Sequence, residues 1–599
     1  PKQLDRKLGD NSITATLCYP DSSRHLTGFN PMIYPDLHLI YTVNVESKGK
    51  NIEVTVDLDR PIPQEFIGKV GFNLEFFPGS LFGKPWIMDG QSGIFPQQPN
   101  SPLMTTQPNY LHTGNYHDGK QSLADMDKLI GKGYSPIVAD DIISEPYAKG
   151  RKFTSRPDDP YNKVTIESLS GDLQLFDGRM NHNNGWFVLR SNIKPGVTKG
   201  AVKWIITPNV VADWMYQPVI QTSQIGYHPA QDKEAVIEMD IRDNRKETAQ
   251  IIRIDADGEK VVKNVTPANW GKFLRYNYLK VDFTDVKEPG LYKIKYDTSV
   301  SPIFRIDNDV YARGVWQPVL EYFLPVQMCH MRVNEKYRVW HDCCHMDDAQ
   351  MAPAHNHIDG YDQKEGLSKF KPGEVVPGVN IGGWHDAGDF DLRIESQAGE
   401  SYILALAYEA FHPNLDVTSI DQINRVTEIH QPDGKNDLLQ QVENGALTVV
   451  NGYLALGRLY RGIICNDLRQ YVLLGDAAAM TDGKIGNEDD RWIFTEDNPG
   501  RELSTAAQLA AVSRVLKGFN DTLSVHCLDI ARKVYASTGN GNNRALFPKV
   551  QAAVELYLTT GEQPYMDFIL DNKELIIKQI GRIGWYTARV EKQFAQMKN

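Results

Sequence analysis

Two carboxylates, Asp386 and Asp389, stand three residues apart in the string GGWHDAGDFD at 382–391. Acids this close repel, so at least one pKa is expected to leave the ordinary carboxylate range. Such a pair suits activation of a water molecule. Gly382, Gly383 and Gly388 let the backbone bend sharply around it. Trp384 and Phe390 offer flat apolar faces of the kind that suit a sugar ring. A plainer account fits the same residues: an Asp-rich loop capping a helix that starts near Glu395, or a calcium site. Spacing alone does not separate the two accounts.

A second constellation lies upstream. Cys329-His330 and Cys344-His345 are matching Cys-His pairs separated by thirteen residues. Two thiolates and two imidazoles make a tetrahedral zinc set, and a loop of this length can bring both pairs to one ion. The spacing is not that of a zinc finger. His341 and Cys343 are alternative ligands nearby, and buried cysteines beside surface histidines are the plainer reading. A closed four-ligand site is structural and pins a loop; it does not activate water.

Weaker candidates follow. Trp492, Tyr471, Trp340 and Tyr361 fall between predicted helices, where aromatic rings stack on sugars or merely decorate a surface. Asp489, Asp490, Glu496 and Asp497 form an acidic run that is either a solvated face or a calcium site without the EF-hand pattern. No phosphate loop, dinucleotide fingerprint or nucleophilic triad order is present.

The elements that must position these residues divide the chain of 599 residues into three parts. Residues 1–210 alternate apolar and polar positions, as in Leu37 to Val45 and Ile52 to Leu58, and predict a β-sandwich. Runs at 163–176, 186–191 and 202–208 continue the pattern, while 78–163 is too long for a structureless loop and must hold unplaced strands or packed irregular elements. Residues 217–308 predict a smaller immunoglobulin-like sandwich, with a hairpin at Asp257-Gly258 and alternation through GLYKIKYDT. From Asp309 the period becomes helical. Helices are expected around Val315–Phe323, Leu439–Tyr453, 395–411, 503–517, 520–537, 545–560, 564–580 and 583–598, with no convincing strands.

Composition adds exclusions. Apolar residues are 41% and charged residues 23%, so several cores can form. Net charge is −12 and no basic block is present, which argues against nucleic acid as partner. No apolar run approaches the ~20 residues that span a bilayer. Six cysteines are too sparse for a disulfide framework. The start at Pro1 without Met reads as a mature or an engineered terminus, and a secreted or periplasmic protein with its signal removed is the expectation.

The string GGWHDAGDFD resembles the G-G-W-x-D-A-G-D signature of family 9 glycoside hydrolases, inverting β-glycanases. The segment QTSQIGYHP at 221–229 resembles the opening of the immunoglobulin-like domain that precedes many of their catalytic domains. ELSTAAQLAAVSRVLKGF at 502–519, followed by CLDIARKVY, resembles a helix pair after the catalytic base. The similarity spans roughly 217–560; residues 1–210 match no named family. The resemblance implies that Asp389 is the general base, that Asp386 helps hold the water, and that Trp384, His385 and Trp492 contact β-1,4-glucan or a related β-glycan. Base and acid would stand about 6.5–9.5 Å apart. It also implies a structural zinc, since CHMDDA resembles the zinc site of such enzymes, and an (α/α)6 barrel.

One departure from the family is large. Its general acid is a Glu near the end of the barrel, preceded by a His-x-Arg motif, and neither context follows Asp389 here. HMR at 330–332 precedes the base and matches by accident. Eight helices also fall short of twelve. The apolar stripe Tyr586, Val590, Phe594 and Met597 runs to Asn599 without a cap. The expectation is a chain cut inside the barrel, lacking the acid and impaired in turnover. The rivals are a non-catalytic glycan-binding protein, an exo-acting enzyme on a β-linked amino sugar or other β-glycan, and a helical scaffold with chance motifs.

Overall fold

A computed structural model describes residues 1–19, 37–68, 70–99, 103–104, 143–180, 185–356, 362–364, 366–386, 390–465, 483–486, 490–538 and 543–592. Residues 211–323 form one compact unit, and 1–210 with 324–599 form the other.

Among the described residues of 1–210, nine antiparallel strands make one sheet, in the order Lys2–Leu8, Ser12–Tyr19, Leu39–Lys48, Asn51–Leu58, Val202–Pro208, Val164–Ser168, Lys152–Ser155, Pro85–Met88 and Gln91–Ile94. A second sheet runs Ala148–Gly150, Leu173–Asp177, Phe187–Asn192 and Gly71–Phe76. Inward residues of both sheets meet in one core that includes Phe153, Ile166, Leu175, Phe187 and Trp204. The Trp204 indole is fully buried and donates to Ser191 Oγ at 3.0 Å. The 78–163 stretch does hold strands at 85–88, 91–94, 148–150 and 152–155. The alternation from Leu37 to Val45 marks a strand whose apolar side is only partly covered, for Leu39 is buried but Val45 is exposed.

Residues 211–323 make a sandwich of two sheets. One runs Val219–Gln221, Glu234–Asp240, Tyr276–Asp282, Ala268–Phe273. The other runs Gly258–Val265, Ala249–Asp255, Gly290–Tyr296, Ser299–Val300, with Phe304–Ile306 also pairing with Gly290–Tyr296. The expected hairpin is present, its turn made by Ala256 and Asp257 and its return strand opened by Gly258 at φ +127°. Tyr292, Ile294 and Tyr296 point inward, so the period-2 reading of GLYKIKYDT gives the buried face.

Residues 324–592 are mainly helical. The long helices are α1 (Ile394–Phe411), α2 (Asp437–Leu456), α3 (Pro499–Leu516), α4 (Asp521–Ser537) and α5 (Asn543–Thr560). Asparagine side chains cap three of them: Asn436 accepts from Leu438 N and Leu439 N, Asn498 from Arg501 N, and Asn520 from Leu523 N. Gly457 ends α2 at φ +77°. Helix α3 is buried nearly all round rather than on a stripe, because Ala506, Ala507, Ala510 and Ala511 admit α1, α4 and α5 closely.

The rest departs from the helical expectation. The expected helix over 564–580 breaks at Asn572 into α6 (Gln563–Asp571) and α7 (Lys573–Lys578). The last one is α8 (Ile580–Ala588), in which Trp585 is 53% exposed, while Val590 just beyond it is buried. Phe594 and Met597 lie outside the described residues. The Val315–Phe323 stretch is helical from Gln317, with a π segment at Val319–Phe323 that runs straight into a short helix at Leu324–Gln327, and Val319 and Phe323 are exposed. Strands are present where none was expected. Arg332–Glu335 pairs with Arg338–His341 and Val426–Ile429, which pairs with Thr418–Asp421. Gly462–Cys465 lies between Leu392–Arg393 and Arg491–Phe494. At two to four residues each, they are too short for a period-2 test to register. They fix the segments around both candidate constellations.

A buried charge network ties the last turn to α1 and α5. Glu555 is 1% exposed and accepts from Tyr402 Oη at 2.8 Å, while Arg514 and Arg589 approach it at 2.9 and 2.7 Å. Among the described residues no helix is long and apolar enough to cross a membrane.

Candidate functional site

Two loops are laced together by backbone hydrogen bonds. Cys329 N donates to Gly383 O at 2.9 Å and His385 N donates to Gln327 O at 2.8 Å. Gly382 and Gly383 have φ of +69° and +86°, and Gly383 N donates to Asn444 O of α2. Only glycine adopts this path against α2 without strain. The lacing sets the 382–386 segment beside Cys329, and the segment Cys344-His345 closes the other side.

Four donors converge there. Cys329 Sγ, Cys344 Sγ, one ring nitrogen of His345 and one of His385 all lie within 4.8 Å of one another. Cys329 Sγ is 3.9 Å from Cys344 Sγ and 3.7 Å from His345 Nδ1, and Cys344 Sγ is 3.4 Å from His385 Nε2. A tetrahedral zinc with Zn–S of about 2.3 Å and Zn–N of about 2.05 Å needs edges of about 3.8 Å between sulfurs and about 3.5 Å between sulfur and nitrogen. The donor set fits those edges.

The electrostatics suit ligation. Burial, with the Arg491 charge, pushes the His345 imidazole down to about 3, and burial also lowers His385, so both rings are neutral. Burial opposes ionisation of Cys329, yet its hydrogen bond with Cys344 and the Arg491 guanidinium hold its thiol well below the usual range. Cys344, bonded to Cys329 and buried, is pushed up in turn.

His330 does not join the expected set; His385 takes its place. The His330 ring is fully buried, but its Nδ1 donates to Gly382 O at 3.0 Å and its Nε2 faces Arg491 Nη2 at 3.3 Å. Both nitrogens are therefore spent on holding the loop and the arginine. His341 and Cys343 stand aside: His341 Nδ1 contacts Asp342 O, and Cys343 Sγ contacts Arg425 O.

Asp386 follows His385 and is half-buried. Its Oδ2 lies 3.5 Å from Arg393 Nε, and Arg393 reaches the fully buried Asp391 at 4.0 Å. Asp391 Oδ1 accepts from Cys465 N at 3.0 Å, fixing the exit of the loop. Asp389 lies outside the described residues, as do Tyr361, Tyr471 and Asp489.

The sugar contacts expected at Trp384 and His385 are corrected. Trp384 is 1% exposed, and its Nε1 donates to Gln441 Oε1 at 2.8 Å, so no indole face is open to a ligand. His385 faces the thiols, and Phe390 packs on its ring at 5.0 Å rather than facing outward. Trp492 is half-buried in Arg491–Phe494, opposite Ile464. Trp340 is 37% exposed, with Arg338 over its ring at 4.6 Å.

A Cβ on Gly445 of α2 would overlap the Trp384 ring and Ser401 Oγ. Gly445→Ala is therefore expected to destabilise the helical region by about 1–3 kcal/mol, read as a lower urea midpoint in far-UV circular dichroism. An unchanged midpoint would show that Trp384 is not seated this tightly.

Arg491 is the functional residue that motif reading missed. It sits in the acidic 489–497 run, taken there for a solvated or calcium-binding face, yet it is fully buried. Its backbone N donates to Asp348 Oδ1 at 2.8 Å and its Nε pairs with Asp348 Oδ2. Its Nη2 reaches Cys329 Sγ at 3.3 Å. Asp490 is buried too, and carboxylate oxygens of Asp347, Asp348 and Asp490 lie within 4.8 Å of one another. Burial pushes Asp348 up to about 6 against the pull of Arg491. Arg491→Met would leave Asp348 buried without its cation, at an expected cost of about 3–5 kcal/mol. A thermal midpoint equal to the wild type's would contradict the pairing.

Comparison with known proteins gives two family matches: residues 319–596 match the model described as glycosyl hydrolase family 9, and residues 215–301 match the cellulase N-terminal ig-like domain. Endoglucanase D of Acetivibrio thermocellus is 19% identical over 378 residues, covering 60% of this chain and 54% of that protein. The xyloglucan-specific endo-beta-1,4-glucanase BoGH9A of Bacteroides ovatus is 25% identical over 369 residues, covering 58% of each. The chain thus spans little more than half the length of these relatives. Among solved structures, a metagenome-derived glycoside hydrolase family 9 endoglucanase aligns with a TM-score of 0.44 at 22% identity, covering 60% of this chain and 64% of its own.

Proposed function

We propose, from the match of residues 319–596 to glycosyl hydrolase family 9, that the 382–391 loop carries the water-activating carboxylates of an inverting hydrolase of β-1,4-glucan or a related β-glycan. The observation that carries the reading is the place of His385. It is one of four converging metal-type donors and is peptide-bonded to Asp386. A closed thiolate–imidazole site at that point fixes the loop without spending a carboxylate on the metal.

In this account Asp389 takes a proton from the attacking water, Asp386, oriented by Arg393, holds that water on the face opposite the leaving oxygen, and the leaving oxygen takes its proton from a general acid outside the 382–391 loop. Attack from that face turns a β-glycoside into an α-product. Cys329, Cys344, His345 and His385 would hold a structural zinc, which supplies rigidity when bound. The helical region is part of an (α/α)6 barrel. A polymeric substrate that cannot cross a membrane places the protein outside the cytoplasm, secreted or periplasmic.

The test is release of reducing ends from xyloglucan, from unbranched β-1,4-glucan and from an α-1,4-glucan. Release from either β-glucan is expected, slowed by protonation of the leaving oxygen, and relatives named an endoglucanase and a xyloglucan-specific endo-beta-1,4-glucanase make β-glucans the substrates to try. Release from the α-glucan alone would overturn the reading.

A further inference from the structure

Residues 211–323 carry a row of aromatic rings on the open face of the sheet that includes Glu234–Asp240 and Tyr276–Asp282. In the latter strand Asn277, Leu279 and Val281 turn inward, so Tyr276 and Tyr278 turn outward. Ring centroids step from Tyr216 to Tyr276 at 5.2 Å, on to Tyr278 at 6.2 Å and to Trp270 at 5.7 Å. Trp270 is 58% exposed and Trp214, beside Tyr216, is 46% exposed. A contiguous exposed aromatic patch is unusual on a surface with no partner.

Three features show that the row is built rather than incidental. First, the pairing of Ala268–Phe273 with Tyr276–Asp282 slips between Asn269 and Gly271, leaving Trp270 as the extra residue of a bulge. Gly271 permits the bulge with φ +128°. Bulges re-aim a side chain, and this one sets the indole against Tyr278. Second, one carboxylate anchors two rings, for Tyr216 Oη and Tyr278 Oη each donate to Glu238 at 3.0 Å. Third, the charges balance. Arg242 pairs with Asp240 at 2.9 Å, and Arg275 lies over the Tyr276 ring at 5.5 Å with its Nε on Tyr276 Oη at 3.2 Å. Trp214, Tyr216, Asp240, Arg242, Arg275 and Tyr276 line a cleft of about 450 Å³.

Acids and bases are interspersed on this face, with Arg242 paired to Asp240 and Lys280 to Glu234 at 2.8 Å, so no patch of one sign is built to attract a phosphate, an acidic peptide or a cation. Flat rings beside fixed donors and acceptors match a neutral polyhydroxylated chain, whose C–H faces stack while its hydroxyls bond at the edges. We propose that this face of residues 211–323 binds a neutral β-glycan chain, with Trp214 and Trp270 as its stacking platforms. Its ligand class rests on the proposed function, but its readout is binding, so the two can fail separately.

The test is isothermal titration of the full chain with cellohexaose and with xyloglucan oligosaccharides. Trp270→Ala and Trp214→Ala are each expected to weaken binding at least about tenfold. Trp270→Phe, which keeps a ring and the fold, should retain an intermediate affinity. Asp386→Asn should leave this binding unchanged, since it alters only the 382–391 loop. Unchanged affinity in both tryptophan variants would overturn the proposal. So would loss confined to Asp386→Asn, or a tryptophan variant that alters only the mass in light scattering, the mark of a face covered by a second copy. Binding lost with Trp270 in a protein that hydrolyses nothing would sustain this inference and defeat the catalytic one.

Discussion

Asp389→Ala is expected to lower hydrolysis of 2,4-dinitrophenyl β-cellobioside by about 10²–10⁴-fold. The substrate is chosen because its phenol departs as the anion and needs no proton. The assay then reads only the half-reaction assigned to this loop, removal of a proton from water as it attacks the anomeric carbon. Alanine leaves the water in place without an acceptor, so kcat should fall with KM little changed. Asp386→Asn should cost less, about tenfold. It keeps the shape that holds the water but loses the charge that Arg393 faces at 3.5 Å. Added azide, an anionic nucleophile that needs no deprotonation, should restore part of the Asp389→Ala rate. A variant as fast as the wild type would place the base elsewhere.

The second large effect concerns the metal set. Protein prepared without chelator is expected to carry about one zinc per chain, and His385→Ala is expected to lose it. His330→Ala should keep it, because both its nitrogens are engaged by Gly382 O and Arg491. Structural zinc contributes on the order of 10–16 kcal/mol of apparent binding energy at neutral pH, so the His385 variant should also melt well below the wild type. Asp386 is its neighbour in the chain, and turnover should fall with the metal. Zinc retained by His385→Ala and lost by His330→Ala would favour the matched dipeptides over the geometry.

The matched Cys-His dipeptides made three of the four converging donors legible, since two thiols and an imidazole in that arrangement are uncommon by chance. The fourth was not. His385 reads as part of a sugar-binding loop, and only the backbone ladder between 327–329 and 383–385 brings it to Cys329. Trp384 misleads for the same reason. A tryptophan among glycines looks exposed, yet the bend those glycines allow folds it under α2 against Gln441. Arg491 was hidden by its neighbours, because an acidic run suggests solvent until a buried Asp348 is found to need a cation. The helices were readable wherever a stripe met an Asn cap, as at Asn436 and Asn520, whereas the strands within 418–429, at 462–465 and at 491–494 pair over too few residues to carry a period. Alternation through GLYKIKYDT marked a buried side of the neighbouring sheet, but nothing in the sequence showed that a bulge at Trp270 makes one face of the 276–282 strand an aromatic surface.

The central claim is that this loop directs water to the face of the sugar opposite the leaving group. Proton NMR of the first minutes of 2,4-dinitrophenyl β-cellobioside hydrolysis, before the anomers equilibrate, tests it most directly. The account predicts that the α-anomer of cellobiose appears first and that Asp389→Ala removes it. First appearance of the β-anomer would contradict it.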